Sequence, residues 1–289
     1  VVATVGKPGG KTVLLRGDID ALPIKEESGL PFASTGDNSH ACGHDFHGAM
    51  LLTAAKMLKE NEKALEGLVK LMFQPAEEIF KGAKAMVADG LLENPRPDVA
   101  LGYHVSAGTI PLGLFIYNRK GTMMNSSDNF TIKIQGKGSH GAYPDTGIDP
   151  INIIAHTVLG LESIIAREVK STQASVLTLG KIASGDAGNI IPDTGEMLGT
   201  LRCDSNEERE FILQRMNEVV EGIAKTYRGT AEVIITSGTP PLINDEQAVD
   251  DFVSYMRELD VPDQFEVPQM QVASSEDFAV ILSEIPGAF

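Results

Sequence analysis

The sequence predicts an α/β protein in which a mostly parallel sheet domain is interrupted by a smaller, ferredoxin-like α+β domain. Three observations predict it. Apolar runs at 12–16, 68–73 and 98–105 alternate with segments of helical spacing, the pattern of strands covered on both faces by their crossover helices. From residue 121 the strands change to polar–apolar alternation, and the elements follow the order β-α-β-β-α-β. A chain of 289 residues also sits at the size, about 250–300 residues, where one core gives way to two. The boundaries fall where the pattern changes: 1–120 with 238–289 form a discontinuous sheet domain, and 121–237 form the insertion.

The elements follow in order. The chain opens in a strand-like segment, and 12–16 (TVLLR) reads as a buried strand that ends at Gly17-Asp18-Ile19-Asp20. A loop containing Gly29, Pro31 and Gly36 runs to Cys42. Residues 46–60 have helical spacing and strong helix formers. The strand at 68–73 (LVKLMF) stops at Gln74-Pro75, a helix is expected over 78–89 before Gly90, and 98–105 (DVALGYHV) reads as the next buried strand. In the insertion, 128–135, 174–182, 196–204 and 230–236 read as strands, with helices over 149–168 and 206–226. Gly238-Thr239-Pro240-Pro241 reads as a linker, followed by helices over 246–258 and 275–283.

Composition narrows the function. The chain is 42% hydrophobic and 22% charged, ordinary for a globular protein. Forty acidic residues against 24 basic ones give a formal charge of −16, which repels phosphate backbones and anionic membranes, so neither nucleic acid nor a membrane is an expected partner. The longest uncharged run, 99–118, is broken by Pro111 and glycines and is a poor membrane span. Two cysteines, Cys42 and Cys203, form no disulfide framework and suit a reducing cytoplasm. No signal peptide is visible.

The sharpest motif is His40-Ala41-Cys42-Gly43-His44-Asp45-Phe46-His47, with three histidines, a cysteine and an aspartate in eight residues. In an extended loop Cys42 and His44 face the same way, and thiolate with imidazole suits zinc and its neighbours. Glu77 and Glu78 follow a strand end, where open α/β sheets carry their sites. Adjacent glutamates diverge, so one can bind metal while the other remains free as a proton shuttle. His104 lies at the end of a third such strand. In the insertion, glycines flank His140 within Gly138-Ser139-His140-Gly141, and Asn189 and Arg202 follow; Arg202 can grip a carboxylate with its fork. The density of the 40–47 cluster favours a metal site; taken alone, Glu77-Glu78 reads first as a solvated charged turn, His104 as a core residue, and His140, Asn189 and Arg202 as turn or surface side chains.

Together, Asp18-Ile19-Asp20-Ala21-Leu22-Pro23, Ala41-Cys42-Gly43-His44-Asp45, Phe73-Gln74-Pro75-Ala76-Glu77-Glu78, Tyr103-His104-Val105 and Gly138-Ser139-His140-Gly141-Ala142 resemble the metallo-aminoacylase family. That family includes hippurate hydrolases, N-acyl-amino-acid amidohydrolases, auxin-conjugate hydrolases and N-acetyl-diaminopimelate deacetylases. The resemblance implies hydrolysis of a small N-acyl amino acid by a site of two divalent metal ions, zinc or manganese, with nickel or cobalt acceptable. It implies Cys42, His44, Glu78 and His104 as ligands, Glu77 as general base and Asp18 as a residue that orients a ligand. The insertion becomes a lid and homodimerisation domain, with His140 steadying the oxyanion in the partner's site and Asn189 and Arg202 holding the substrate carboxylate. Dipeptidases of the same superfamily carry a histidine where this chain has Arg16, and a dipeptidase is the rival enzyme reading. The family pattern has a further metal-binding histidine near its C-terminus and a helical segment at its N-terminus. Neither is in these 289 residues, so the chain is expected to be part of a longer enzyme; a catalytically silent metal-binding fragment is the other rival.

Overall fold

The computed structural model describes residues 1–106, 108, 111–259, 261 and 264–289. The chain divides into two compact units: Val1–Met124 with Leu242–Val272 and Glu276–Phe289, and Asn125–Pro241 with Ala273–Ser275.

The first unit begins with β1 (Val2–Gly6), β2 (Thr12–Asp18), α1 (His44–Glu60), β3 (Leu68–Gln74), α2 (Gly82–Ala88), β4 (Val99–Leu101), β5 (Leu114–Tyr117) and β6 (Thr122–Met124). β2 pairs in parallel with β3 and with β4, and β1 adds an antiparallel edge to β3. The register sets Asp18 opposite Gln74, so β2 and β3 end side by side. α1 starts at His44, two residues before the spacing predicts. Gly43 caps it at φ 85°, a left-handed conformation that favours glycine, and a Cβ there would meet Val105 Cγ2 at 2.8 Å.

Three expected elements are shorter than their patterns. The expected helix over 78–89 occupies only Gly82–Ala88, because Ala76 (φ 56°) and Phe80 (φ 52°) turn the chain and the Phe80 N–H donates to the Glu77 carbonyl. The strand expected over 98–105 stops at Leu101, which leaves His104 in a loop. The terminal helix expected over 275–283 is confined to Ala279–Leu282, since the Glu276 carboxylate accepts the Phe278 N–H and competes with a helical start.

The second unit contains β7 (Ser127–Gln135), β8 (Ser139–His140), α3 (Pro150–Arg167), β9 (Val176–Ala183), β10 (Ile190–Ile191), β11 (Thr194–Arg202), α4 (Asn206–Thr226) and β12 (Thr230–Thr239). β12, β7, β11 and β9 form, in that order, an antiparallel sheet, and β8 and β10 form a separate ribbon. Asp149 and Ser205 cap α3 and α4 by accepting the N–H groups of Ile151 and Glu208. Phe130, Ile132, Ile134, Ile153, Leu161, Met197, Ile212 and Met216 build the core between sheet and helices. β12 runs through Thr239, so Gly238 and Thr239, expected in a linker, are strand residues.

The chain then returns to the first unit as β13 (Leu242–Ile243), α5 (Glu246–Glu258), β14 (Phe265–Pro268), α6 (Ala279–Leu282) and β15 (Gly287–Ala288). β15 joins β4 in parallel and completes the sheet order β1-β3-β2-β4-β15. Val5, Leu51 and Leu71 form one buried cluster with α1; Leu14, Met72, Ala83, Ala100, Phe278 and Ile281 form another with α2 and α6. Among the described residues, no helix is long and apolar enough to cross a membrane.

Candidate metal centre

Side-by-side strand ends bring their loops together. Asp18 ends β2, Glu77 and Glu78 follow β3, and His104 follows β4, while Gly43 leads the chain from the turn that carries Cys42 into α1, which His44 opens. Among the described residues, four sets of potential ligand atoms each lie within 4.8 Å: Cys42, His44 and His104; His44, Glu77 and Glu78; Asp18, His44 and His47; and Glu77, Glu276 and Asp277.

Hydrogen bonds fix which atoms are available. His44 Nδ1 lies 3.0 Å from Asp20 Oδ1 and must donate to it, which leaves Nε2 as a bare acceptor. That Nε2 faces Asp18 Oδ2 at 3.3 Å and Glu78 Oε1 at 3.8 Å. All three atoms are buried without a hydrogen-bond partner; Asp18 Oδ2 is also 3.0 Å from Arg16 Nη1, an ion pair without hydrogen-bond geometry. Two buried carboxylate oxygens facing one ring nitrogen, none of the three with a hydrogen-bond partner, offer the donor chemistry of a cation site; without a metal the balancing charge is a proton on His44, in line with its raised pKa. The 3.8 Å between His44 Nε2 and Glu78 Oε1 fits two ligand atoms about 2.0–2.3 Å from one ion, which stand roughly 3.2–3.8 Å apart in a tetrahedron. His104 donates Nδ1–H to the Val105 carbonyl at 2.6 Å, which leaves its Nε2 to accept the Cys42 S–H at 3.4 Å. A Cys, His and carboxylate donor set suits zinc and its borderline neighbours.

His47 is not a ligand despite its proximity. Its Nδ1–H donates to Asp18 Oδ1 at 2.5 Å and its Nε2 accepts the Val105 N–H at 2.8 Å, so both ring nitrogens are committed. It therefore locks Asp18 and the loop of His104 to α1. Asp20 has a similar double duty, since its Oδ2 accepts the Glu78 N–H at 3.1 Å.

The charges are consistent with a cation site. Burial disfavours a charged His44, but the hydrogen bond to Asp20 and the charges of Asp18, Asp20 and Glu78 outweigh it and raise its pKa. Burial, with the neighbouring Glu78, pushes the Cys42 thiol up to about 12. Burial raises Glu77 strongly, reinforced by the charges of Glu276 and Asp277 against the opposing Arg16. Burial also disfavours charged Asp18, yet the His47 hydrogen bond and Arg16 hold its carboxyl below the ordinary range.

Sequence reasoning missed the layer behind these groups. Arg16 is fully buried, with Nε donating to Gln74 Oε1 at 2.9 Å and Nη1 and Nη2 donating to Glu276 at 3.2 and 2.5 Å. Asp277 accepts from Gln74 Nε2 at 2.5 Å and from the Ala83 N–H at 3.0 Å. The acidic pair inside an otherwise apolar final helix pattern was the one signal. For His47, the signal was its spacing three residues after His44 on a helix.

His140, Asn189 and Arg202 belong to the second unit. His140 pairs with Ile190 in the β8–β10 ribbon, is exposed, and accepts the Ala142 N–H on Nδ1 at 3.1 Å, so the proton sits on Nε2. The Asn189 carbonyl accepts the Gly141 N–H at 2.8 Å, and the Asn189 side chain is exposed. Arg202 ends β11 and donates from Nη1 to Ser275 Oγ at 2.8 Å. Burial lowers its pKa while Asp128 opposes the shift, and Asp128 is itself gripped by Arg209 at 2.6 and 2.7 Å.

A family model described as peptidase family M20/M25/M40 matches residues 14–289. The chain belongs to that family. Among its M20/M25/M40 relatives is the N-acetyl-L-cysteine deacetylase of Bacillus subtilis (strain 168), 41% identical over 98% of this chain and 67% of the relative. The hippurate hydrolase of Campylobacter jejuni is 36% identical over 93% of this chain and 69% of its own length. Among solved structures, a dinuclear metal-binding M20 peptidase of Bacillus subtilis is 33% identical, with a TM-score of 0.80 over the whole chain and 74% of its own.

Proposed function

We propose that the chain hydrolyses the amide bond of N-acyl amino acids at a site for two divalent metal ions. One observation carries this reading: the buried His44 Nε2 faces carboxylate oxygens of Asp18 and Glu78, none of the three with a hydrogen-bond partner, beside the buried side chain of Glu77. Cys42, His44, Glu78 and His104 supply ligands to the ions, which are zinc or manganese, with nickel or cobalt acceptable to the same donors. When bound, the ions polarise the acyl carbonyl and acidify a bound water. Glu77 takes a proton from the attacking water and delivers it to the leaving amine. Asp18, tied to His47 and Arg16, keeps the site's buried groups in place. The relatives support the substrate class, since by their names one deacetylates N-acetyl-L-cysteine and another hydrolyses hippurate.

In this reading residues 1–120 with 238–289 bind metal, while 121–237 act as a lid and a homodimerisation domain. His140 presents its Nε2–H to the oxyanion formed in the partner's site, and Asn189 and Arg202 hold the substrate carboxylate. A reducing cytoplasm suits a site that needs Cys42 as a free thiol. The test is release of free amino acid from hippurate, from N-acetyl amino acids and from unacylated dipeptides by the metal-loaded chain. Turnover of the dipeptides alone would replace this reading with the dipeptidase one.

A further inference from the structure

Arg16 is the largest of the fully buried side chains and carries a permanent charge. A lone buried cation is costly, so its partners explain its presence. On one side its Nη1 is 3.0 Å from Asp18 Oδ2, the atom that faces His44 Nε2. On the other side its fork takes both oxygens of Glu276, and Nη2 lies 3.5 Å from Asp277 Oδ1. Glu276 and Asp277 are 260 residues or more away in sequence, yet their carboxylate oxygens lie within 4.8 Å of Glu77, and the Asp277 N–H points to Glu77 Oε1 at 3.4 Å. Gln74 closes the ring by accepting from Arg16 and donating to Asp277. Phe278 lies against the guanidinium at 5.7 Å from its ring centroid, which seals this side from water. All these residues belong to the first unit.

We propose that Arg16 is a positioning residue, a built-in cation that joins the Glu276–Asp277 pair to Asp18 and so sets the placement of both His44 and Glu77. The claim rests on the reading of His44 as a metal ligand and Glu77 as the base. A planar fork is needed, because one group must reach two oxygens of Glu276 and a third oxygen on Asp18 at once. A lysine at position 16 keeps the charge but serves fewer of these oxygens.

The experiment compares Arg16→Lys, Glu276→Gln and the surface control Arg119→Gln, each loaded with cobalt, reading cobalt stoichiometry, the visible ligand-field spectrum, kcat and KM on an N-acyl amino acid. Arg16→Lys and Glu276→Gln should keep their cobalt but show a shifted spectrum and a kcat about 10–100-fold lower, the usual effect of losing a group that supports a ligand, with KM nearly unchanged. Arg119, exposed and paired with Asp250 and Glu246, should tolerate its change. A wild-type spectrum and kcat in both Arg16→Lys and Glu276→Gln would overturn the proposal. So would a loss of kcat that simply follows lost cobalt and is restored by excess metal. If Arg16→Lys does not fold, Glu276→Gln alone decides. Wild-type chain that binds cobalt yet hydrolyses no N-acyl amino acid would refute the substrate reading, and the spectrum would still test the placement of His44.

Discussion

His47→Ala separates support of the site from ligation. The imidazole joins α1 to two other parts of the sheet unit, donating to Asp18 and accepting from the Val105 N–H. Its removal leaves a buried carboxylate oxygen and a backbone N–H without partners. Each such orphan costs about 1–3 kcal/mol, so the metal-free chain should lose roughly 2–6 kcal/mol of stability. Asp18 and the His104 loop would then lose their common anchor, and metal affinity should fall about 10–100-fold. Two further variants divide the effect: His47→Asn can still donate to Asp18, whereas His47→Gln can still reach towards Val105. Urea unfolding in chelator measures the stability loss, and titration with zinc against a competing chelator measures the affinity. If His47→Ala unfolds at the wild-type urea concentration and binds zinc as tightly as wild type, the supporting role is wrong. If instead it loses one bound ion outright while the fold is unchanged, His47 is a ligand and the hydrogen-bond argument against that role fails.

Other predictions test the remaining parts. Glu77→Gln should retain metal but slow turnover ~10²–10⁴-fold, whereas Glu78→Gln should also lose metal; equal metal loss in both, by elemental analysis, would end the proposed division of labour. Because burial holds the Cys42 thiol near 12, it is protonated at neutral pH and must release that proton to bind zinc, so affinity should rise with pH. Calorimetry in buffers of different ionisation enthalpy should detect at least one proton released, and one fewer in Cys42→Asp. Arg209→Met strands the fully buried Asp128 and should destabilise the second unit by about 3–5 kcal/mol, against a smaller loss in the Arg209→Met/Asp128→Asn double variant. Inactive His140→Ala and Glu77→Gln chains, mixed, should regain activity if the sites are shared between subunits; no recovery in a sedimenting dimer would remove His140 from the partner's site.

The limits of the sequence follow the range of the interactions. The insertion was legible because its information is local: alternation in β7 and β11 and a 3.6-residue stripe in α3 and α4. The parallel strands were legible as apolar runs, but their ends were not. β4 stops at Leu101, although the Gly102 N–H still donates to the Ala288 carbonyl; that glycine lies against Phe278 and Phe289, where a Cβ would sit 2.8 Å from either ring. The turn that holds Glu77 and Glu78 depends on positive φ angles at Ala76 and Phe80, residue types that carry no turn signal. Arg16 was the least readable residue. It ends TVLLR, a segment that reads as a buried strand, and the acidic pair that compensates its charge comes only after 260 residues. Local pattern thus named the residues able to bind a metal, while the groups that aim them, His47, Asp20, Arg16 and Glu276, are defined by contacts between strand ends. Such groups share no local spacing, and their chemistry is visible only when each donor and acceptor is assigned to its partner.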